Sequence, residues 1–393
     1  MKKYAAPSIL LMIFLVAFPQ ISETIYTPSL PDISAALGVS NSSVQLTLSI
    51  YFIGFALGVF CWGWFSDFIG RRPAMLGGLI VYGIGSLMCV YAGSISLLLI
   101  SRFIQAFGAA TGSIITQTIL RESVSGNKRH AMFAQISAVI SFTPALGPLI
   151  GGWVDQSLGF RAVFFTLVIM SILLFVYAFL KLPETTDVSS RKKVTMLPII
   201  RRMLLLPRVL VFGLLIGGIN GVLFSYYAEA PFIFIEHFHI SPGVYGFLGI
   251  IVAVASIVGA LISKRLLPVF APEKIIHIGC LVMTIGALLL TFASSLVHLP
   301  NIIVIVCILI TMFIMLMGAG MALPNCLSLA LVKFQDVVGT AGAIFSLGYY
   351  LLVSLTTWGM SALHNGSLVT MPIYFLIISG GMWLLGKKFI VKE

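Results

Sequence analysis

The sequence predicts an all-α membrane protein of twelve transmembrane helices, arranged as two pseudo-symmetric bundles of six. Three observations carry that prediction. Apolar stretches of about 20 residues recur from Ile9 to Leu385, and a hydrocarbon core of roughly 30 Å takes about 20 residues of helix to cross. In lipid only helices and closed barrels satisfy every backbone amide and carbonyl, and runs such as Leu97–Leu120 are too continuously apolar for barrel strands. Finally, all of the 23 Lys and Arg residues except Arg102 and Arg161 fall at the termini and in alternate gaps between the stretches. That alternation puts both termini in the cytoplasm and requires an even number of crossings.

In order, the spans are predicted at 8–28, 44–65, 74–92, 97–120, 131–154 and 162–181, then 209–231, 244–266, 274–295, 301–323, 339–361 and 367–387. Lys2 and Lys3 ahead of Ile9–Phe18 mimic a signal peptide, but no small-x-small cleavage site follows, so the segment reads as an uncleaved first helix. Between the sixth and seventh spans lies the one long polar stretch. It carries Glu184, Asp187 and six basic residues from Arg191 to Arg208, with Pro198 and Pro207. Its composition suits a cytoplasmic linker lying partly on anionic lipid. The predicted domains are therefore an N-terminal bundle, 1–182, a linker, 183–208, and a C-terminal bundle, 209–393. This is the layout expected when two repeated halves rock about a central site. Glycine pairs four residues apart, such as Gly54/Gly58, Gly108/Gly112 and Gly213/Gly217/Gly221, allow close helix approach within each half.

Composition agrees: 59% hydrophobic, 9% charged and a mean hydropathy of +1.10. A soluble fold cannot hide that much apolar surface. The net charge of +11 is explained by topology, so no nucleic-acid partner is expected. Cys61, Cys89, Cys280, Cys307 and Cys326 stand singly, with no C-x-x-C, which argues against a disulfide frame or a zinc site. No H-E-x-x-H, G-x-S-x-G or phosphate-cradling loop occurs, so an enzyme is not expected, and no metal or cofactor is implied.

Two motifs identify a family. After the second span runs Gly63-Trp-Phe-Ser-Asp67-Phe-Ile-Gly70-Arg71-Arg72, in which a glycine turn is expected to hold one acid against two arginines as a breakable latch. It resembles the loop signature of the major facilitator superfamily. In the fifth span, Thr143-Pro144-Ala-Leu-Gly147-Pro148-Leu-Ile-Gly151-Gly152 is similar to the antiporter motif of that superfamily's drug:proton branch, with Thr143 replacing a glycine. Its prolines remove amide donors and kink the helix. The segments Glu23–Ile33, Ala228–Phe232 and Gly339–Ala343 resemble the bicyclomycin/chloramphenicol-resistance group. The fourth span begins with a sequence around Arg102 that resembles the family's membrane-embedded arginine motif, with Ala106 where a glycine is usual. The resemblance implies the major facilitator fold and proton-coupled efflux of lipophilic drugs by alternating access. It further implies a monomer in the bacterial inner membrane. An uptake symporter, or an exporter of one metabolite or siderophore, is the alternative.

Ionisable residues within spans are functional candidates. Glu23, 15 positions into the first span, and Arg102, early in the descending fourth, both come to about 8 Å below the outer end at ~1.5 Å per residue. They are expected to face one another, directly or through water, with Glu23 carrying the proton and Arg102 tuning it. Glu229, near the outer end of the seventh span, is a further proton-coupling candidate. Asp32, Asp155, Glu236, His237 and His239 are expected in external loops. The substrate pocket is expected near the midplane between the halves. Its candidate lining is Gln20, Tyr26, Tyr51, Phe55, Asn220, Phe224, Tyr227, Phe345 and Tyr349, since aromatic rings give large contact with few fixed polar demands.

Overall fold

The computed structural model describes residues 8–123, 126–185, 196–296 and 298–389. Lys2, Lys3, Asp187, Arg191 to Lys193 and Lys392 lie outside these. Among the described residues the chain is built of helices, with no strand.

The first span is broken where the sequence puts two prolines in four residues. α1 (Ile9–Thr24) stops before a 3₁₀ turn at Thr27–Ser29, and α2 (Leu30–Leu37) carries the chain on beyond the predicted limit to Gly38, whose φ of 62° ends it. Ser40, whose hydroxyl accepts from the Ser43 amide, then opens α3 (Asn41–Ile69). Next come α4 (Arg71–Val90), α5 (Ile95–Ser123), α6 (Gly126–Leu158) and α7 (Phe160–Lys181). The linker holds a short helix not predicted, α8 (Met196–Leu204). The second half runs α9 (Pro207–Pro231), α10 (Pro242–Leu266), α11 (Pro272–Ser294), α12 (Asn301–Ala330), α13 (Val338–Leu363) and α14 (Thr370–Phe389). Ten of the spans are long and apolar enough to cross a membrane by length and composition alone; α6 and α14 complete the twelve.

The pseudo-symmetry is visible in how small residues seat the helices. In the first half a Cβ on Gly58 of α3 would meet the Phe107 carbonyl of α5 at 2.6 Å, and one on Gly108 of α5 would meet the Gly78 carbonyl of α4 at 2.6 Å. In the second half Gly259 of α10 presses on the Met317 carbonyl of α12, and Gly318 of α12 faces the Gly279 carbonyl of α11 at 2.6 Å. Each half thus locks its second and third helices onto its fourth through backbone contact, where no hydrophobic effect would drive association in lipid. Large apolar side chains such as Ile172, Leu173 and Leu180 of α7 point outward, as lipid-facing positions must.

The end of the bundle bearing both termini is called the near end, the other the far end. Hydrogen bonds that join the halves gather at the far end: Asn41 to Glu236 at 2.9 Å, Gln45 to Glu229 at 2.6 Å, Ser361 to the Ser42 carbonyl and Ser354 to the Ser49 carbonyl at 2.8 Å. Ser49 is eight positions into α3, so this seam reaches about 12 Å inward. The far end is closed.

Candidate functional site

The antiporter segment seats α6 between α1 and α10. Pro148 has no amide hydrogen, which frees the carbonyl of Pro144 four residues earlier. That carbonyl instead accepts from the Tyr227 hydroxyl of α9 at 3.3 Å and lies 3.5 Å from the Thr24 hydroxyl of α1. A Cβ on Gly147 would strike Thr24, one on Gly151 the Ile25 carbonyl, and one on Gly152 the Pro242 carbonyl of the other half. The five motif residues together let one helix touch both neighbours backbone to backbone.

Inside this frame Glu23 is 5% exposed and Arg102 fully buried. They do not form an ion pair. The Arg102 guanidinium is clamped between two rings, 3.9 Å from the Tyr26 centroid and 4.3 Å from that of Tyr51. It donates to Gln105 and, at 3.4 Å, to the Ser22 carbonyl, while its Nε and Nη2 have no hydrogen-bond partner among the described residues. Aromatic faces therefore replace the carboxylate as its main counterpart. Glu23 remains within electrostatic reach of Arg102, and also of Tyr51, Tyr349 and Tyr350. Matched depth does bring the two charges near, but the rings hold the Arg102 guanidinium, and the carboxyl also lies within electrostatic reach of Tyr349 and Tyr350 of α13 in the other half.

That direction is aromatic. Tyr51 and Phe55 stack at 6.3 Å; Phe55 meets Tyr350 at 4.8 Å, Tyr350 meets Tyr349 at 4.4 Å, and Tyr349 meets Phe345 at 5.9 Å. Phe52 packs on Phe224 at 4.4 Å, and Phe224 on Tyr227 at 6.2 Å. Six of the sequence candidates thus belong to one band across the interface, with Tyr350 and Phe52 added. Tyr26 is spent on Arg102. Asn220 bonds back to the Ile216 carbonyl of its own helix at 2.9 Å, and Gln20 is half-buried near the end of α1.

Glu229 is 2% exposed and fully engaged: Gln45 donates to it at 2.6 Å and the Nδ1 of His364 lies 2.9 Å away. It sits where α9 gives way to a π turn at Phe232–His237. His364 was not singled out in the sequence, although its place just beyond the eleventh span matches Glu229 in depth. Burial alone would lower the His364 pKa, but the hydrogen bond and charge of Glu229, with the charge of Glu236, raise it above the ordinary 6.5. The pair's contribution to far-end closure is therefore complete below pH 6.5 and is lost as pH rises through the raised value. Spin labels at Ala36 and Asn365 should show the short far-end distance losing population as pH rises above 6.5 in the native chain and no such trend in His364→Gln. A native chain whose distances ignore pH would remove His364 from the closure.

At the near end the loop signature forms a network wider than predicted. Gly70, at φ 102°, turns the chain so that the Glu184 carboxylate reaches the free amides of Arg71 and Arg72 at 3.0 and 3.1 Å, capping α4. The Arg71 side chain bonds Asp67 at 2.6 Å, Ser66 at 2.6 Å and Glu122 of α5 through two contacts of 2.7 and 3.2 Å. Arg72 does not join it: its guanidinium donates to the Phe179 carbonyl of α7 at 2.7 Å. The expectation of one acid against two arginines is corrected, because α4 turns their side chains to different neighbours. Gly63, the first signature residue, comes to Ala343 of α13, where an added Cβ would stand 3.9 Å away.

The expected loop residues are also corrected: Asp32 lies in α2, Glu236 and His237 lie in the π turn at Phe232–His237, and of the five His239 alone stands outside a helical element. Asp155 is 4% exposed within α6, with both carboxyl oxygens unbonded among the described residues. No group of three or more His, Cys, Asp or Glu able to hold a metal is present among the described residues.

Comparison with known proteins agrees with this fold. The profile of the Major Facilitator Superfamily matches residues 11–357. An uncharacterized transporter of Rickettsia bellii (strain RML369-C) is 32% identical over 94% of this chain and 93% of its own length. The chloramphenicol resistance protein of Pseudomonas aeruginosa is 28% identical over 90% and 84%. The crystal structure of a D-xylose-proton symporter superposes with a TM-score of 0.77 over 97% of both chains at 17% identity, a likeness of fold alone.

Proposed function

The chain belongs to the major facilitator superfamily and is a multi-pass transporter, not an enzyme, and on that premise we propose that it exports lipophilic drugs or antibiotics in exchange for protons by alternating access. The observation that carries the reading is Glu23. Its carboxyl is buried, has no hydrogen bond or ion pair to a side chain among the described residues, and lies within electrostatic reach of an aromatic band that spans both halves. Such a band offers broad contact to varied lipophilic cargo, and the acid beside it can hold a proton or a cationic or neutral drug in turn. The chloramphenicol resistance protein among the relatives supports the same substrate class.

In this scheme residues 1–182 and 209–393 move as two bodies about the band. The far end faces outward from the bacterial inner membrane and both termini lie in the cytoplasm, as the basic loops indicate. Asn41, Gln45, Glu229 and His364 close the outer gate, which makes Glu229 a gate residue. The Arg71 network at the near end breaks or re-forms as the inner gate moves. Arg102, pinned by Tyr26 and Tyr51, supplies a fixed positive charge that favours the ionised form of Glu23 once its proton is given up. The carrier works as a monomer.

The test is proton movement in inverted vesicles that have acidified their lumen. Adding a lipophilic cation should alkalinise the lumen in vesicles carrying this chain. Silence across a panel of lipophilic cations and neutral antibiotics would overturn the assignment.

A further inference from the structure

We propose that the linker helix α8 and the turn before α13 form a binding site for one anionic phospholipid of the inner leaflet. The motivating feature is a cleft of about 610 Å³ lined by Leu197, Pro198, Arg201, Arg202, Leu205, Leu206 and Lys333.

The helix has two faces. Ile199 and Met203, four positions apart, are buried and pack with Val209, Phe334 and Ala341 against the near end of the second half. The other side presents Arg201 and Arg202 beside Leu197 and Leu205, which are 77% and 70% exposed. Leucines so bare are unfavourable in water and natural in acyl chains. Lys333 arrives from a different segment, the 3₁₀ turn at Val332–Val337, and is tied to the helix by the Arg202 guanidinium, which donates to the Lys333 carbonyl and lies 4.6 Å over the Phe334 ring. Three cations and a leucine wall thus line one cleft at the membrane surface.

The occupant follows from that chemistry. The cations call for an anion, and the leucines call for a hydrocarbon tail attached to it. A phospholipid with a net negative headgroup fits: phosphate against Arg201 and Lys333, acyl chain along Leu197 and Leu205. The bound lipid would fasten the linker to the turn that leads into α13. This inference stands apart from the transport reading, because it uses none of the residues of the central band.

The experiment is native mass spectrometry of the full chain from mixed micelles, titrated with phosphatidylglycerol or with phosphatidylcholine of the same acyl chains. The native chain should keep one phosphatidylglycerol and discriminate against phosphatidylcholine. The double variant R201Q/K333Q should bind it roughly thirtyfold more weakly, since each cation near an anionic headgroup carries a share of the attraction. Arg201→Gln alone should lose about fivefold, and Arg161→Gln, at the opposite end of the bundle, should lose nothing. The site is refuted by undiminished retention in R201Q/K333Q, by equal retention of phosphatidylcholine, or by equal loss in Arg161→Gln. Displacement of the lipid by millimolar inorganic phosphate would also refute it, by assigning the cleft to free anions.

Discussion

Glu23→Gln should abolish proton-driven accumulation while the protein still folds and reaches the membrane. Glutamine keeps the shape of the side chain but cannot exchange a proton. If one proton crosses per cycle, a membrane voltage of 100 mV contributes about 2.3 kcal/mol to the work of export. Without it the drug gradient that the carrier sustains should collapse about fiftyfold, to the level of passive leak. The buried setting makes the variant tolerable: Glu23 bonds no side chain among the described residues, so its replacement orphans none of them. Drug accumulation in an efflux-deficient host, normalised to membrane protein level, reads the effect directly.

Gly151→Val should unfold or strongly destabilise the chain, for a reason unconnected with protons. A Cβ at Gly151 collides with the Ile25 carbonyl, a backbone atom fixed by the broken first span. Relief requires α6 to leave α1, which also pulls Gly147 from Thr24 and the Pro144 carbonyl from Tyr227. Overpacking of this kind costs about 1–3 kcal/mol, and more where backbone meets backbone. Gly381→Val is the matched control, since nothing lies within 4 Å of the added atom on α14. Thermal unfolding in detergent should separate the two variants clearly. A native melting temperature for Gly151→Val would show that α1 and α6 do not touch as drawn.

Much of this architecture is legible in the sequence because bilayer thickness fixes the length of every span and charge fixes the alternation of loops. The limits are equally physical. Apolar content marks Ile9 onward as a helix but does not foresee that Pro28 and Pro31 divide it, with α2 continuing to Leu37. Depth reckoning brings Glu23 and Arg102 to one level, yet helix rotation decides contact, and rotation gave Arg102 to Tyr26 and Tyr51. The same reckoning, applied to the outer loops, would have paired Glu229 with His364; without it the gate stayed hidden, because its members stand 135 and 184 positions apart. Phe52 and Tyr350 each directly follow a sequence candidate, Tyr51 and Tyr349, and one step around a helix turns a side chain by about 100°, so periodicity alone does not mark them. Asp155 was misplaced because a lone acid near a span end ordinarily faces water. The linker helix escaped because its basic residues dominate the composition, whereas Ile199 and Met203 reveal its buried stripe only once their spacing is weighed.

The central claim is that the Glu23 carboxyl gives up its proton as cargo arrives. Proton release from the purified, weakly buffered carrier on addition of saturating drug tests it most directly. The native chain should release close to one proton per molecule bound, and Glu23→Gln should bind drug yet release none. Undiminished release from Glu23→Gln would contradict the account and move the coupling site to another acid.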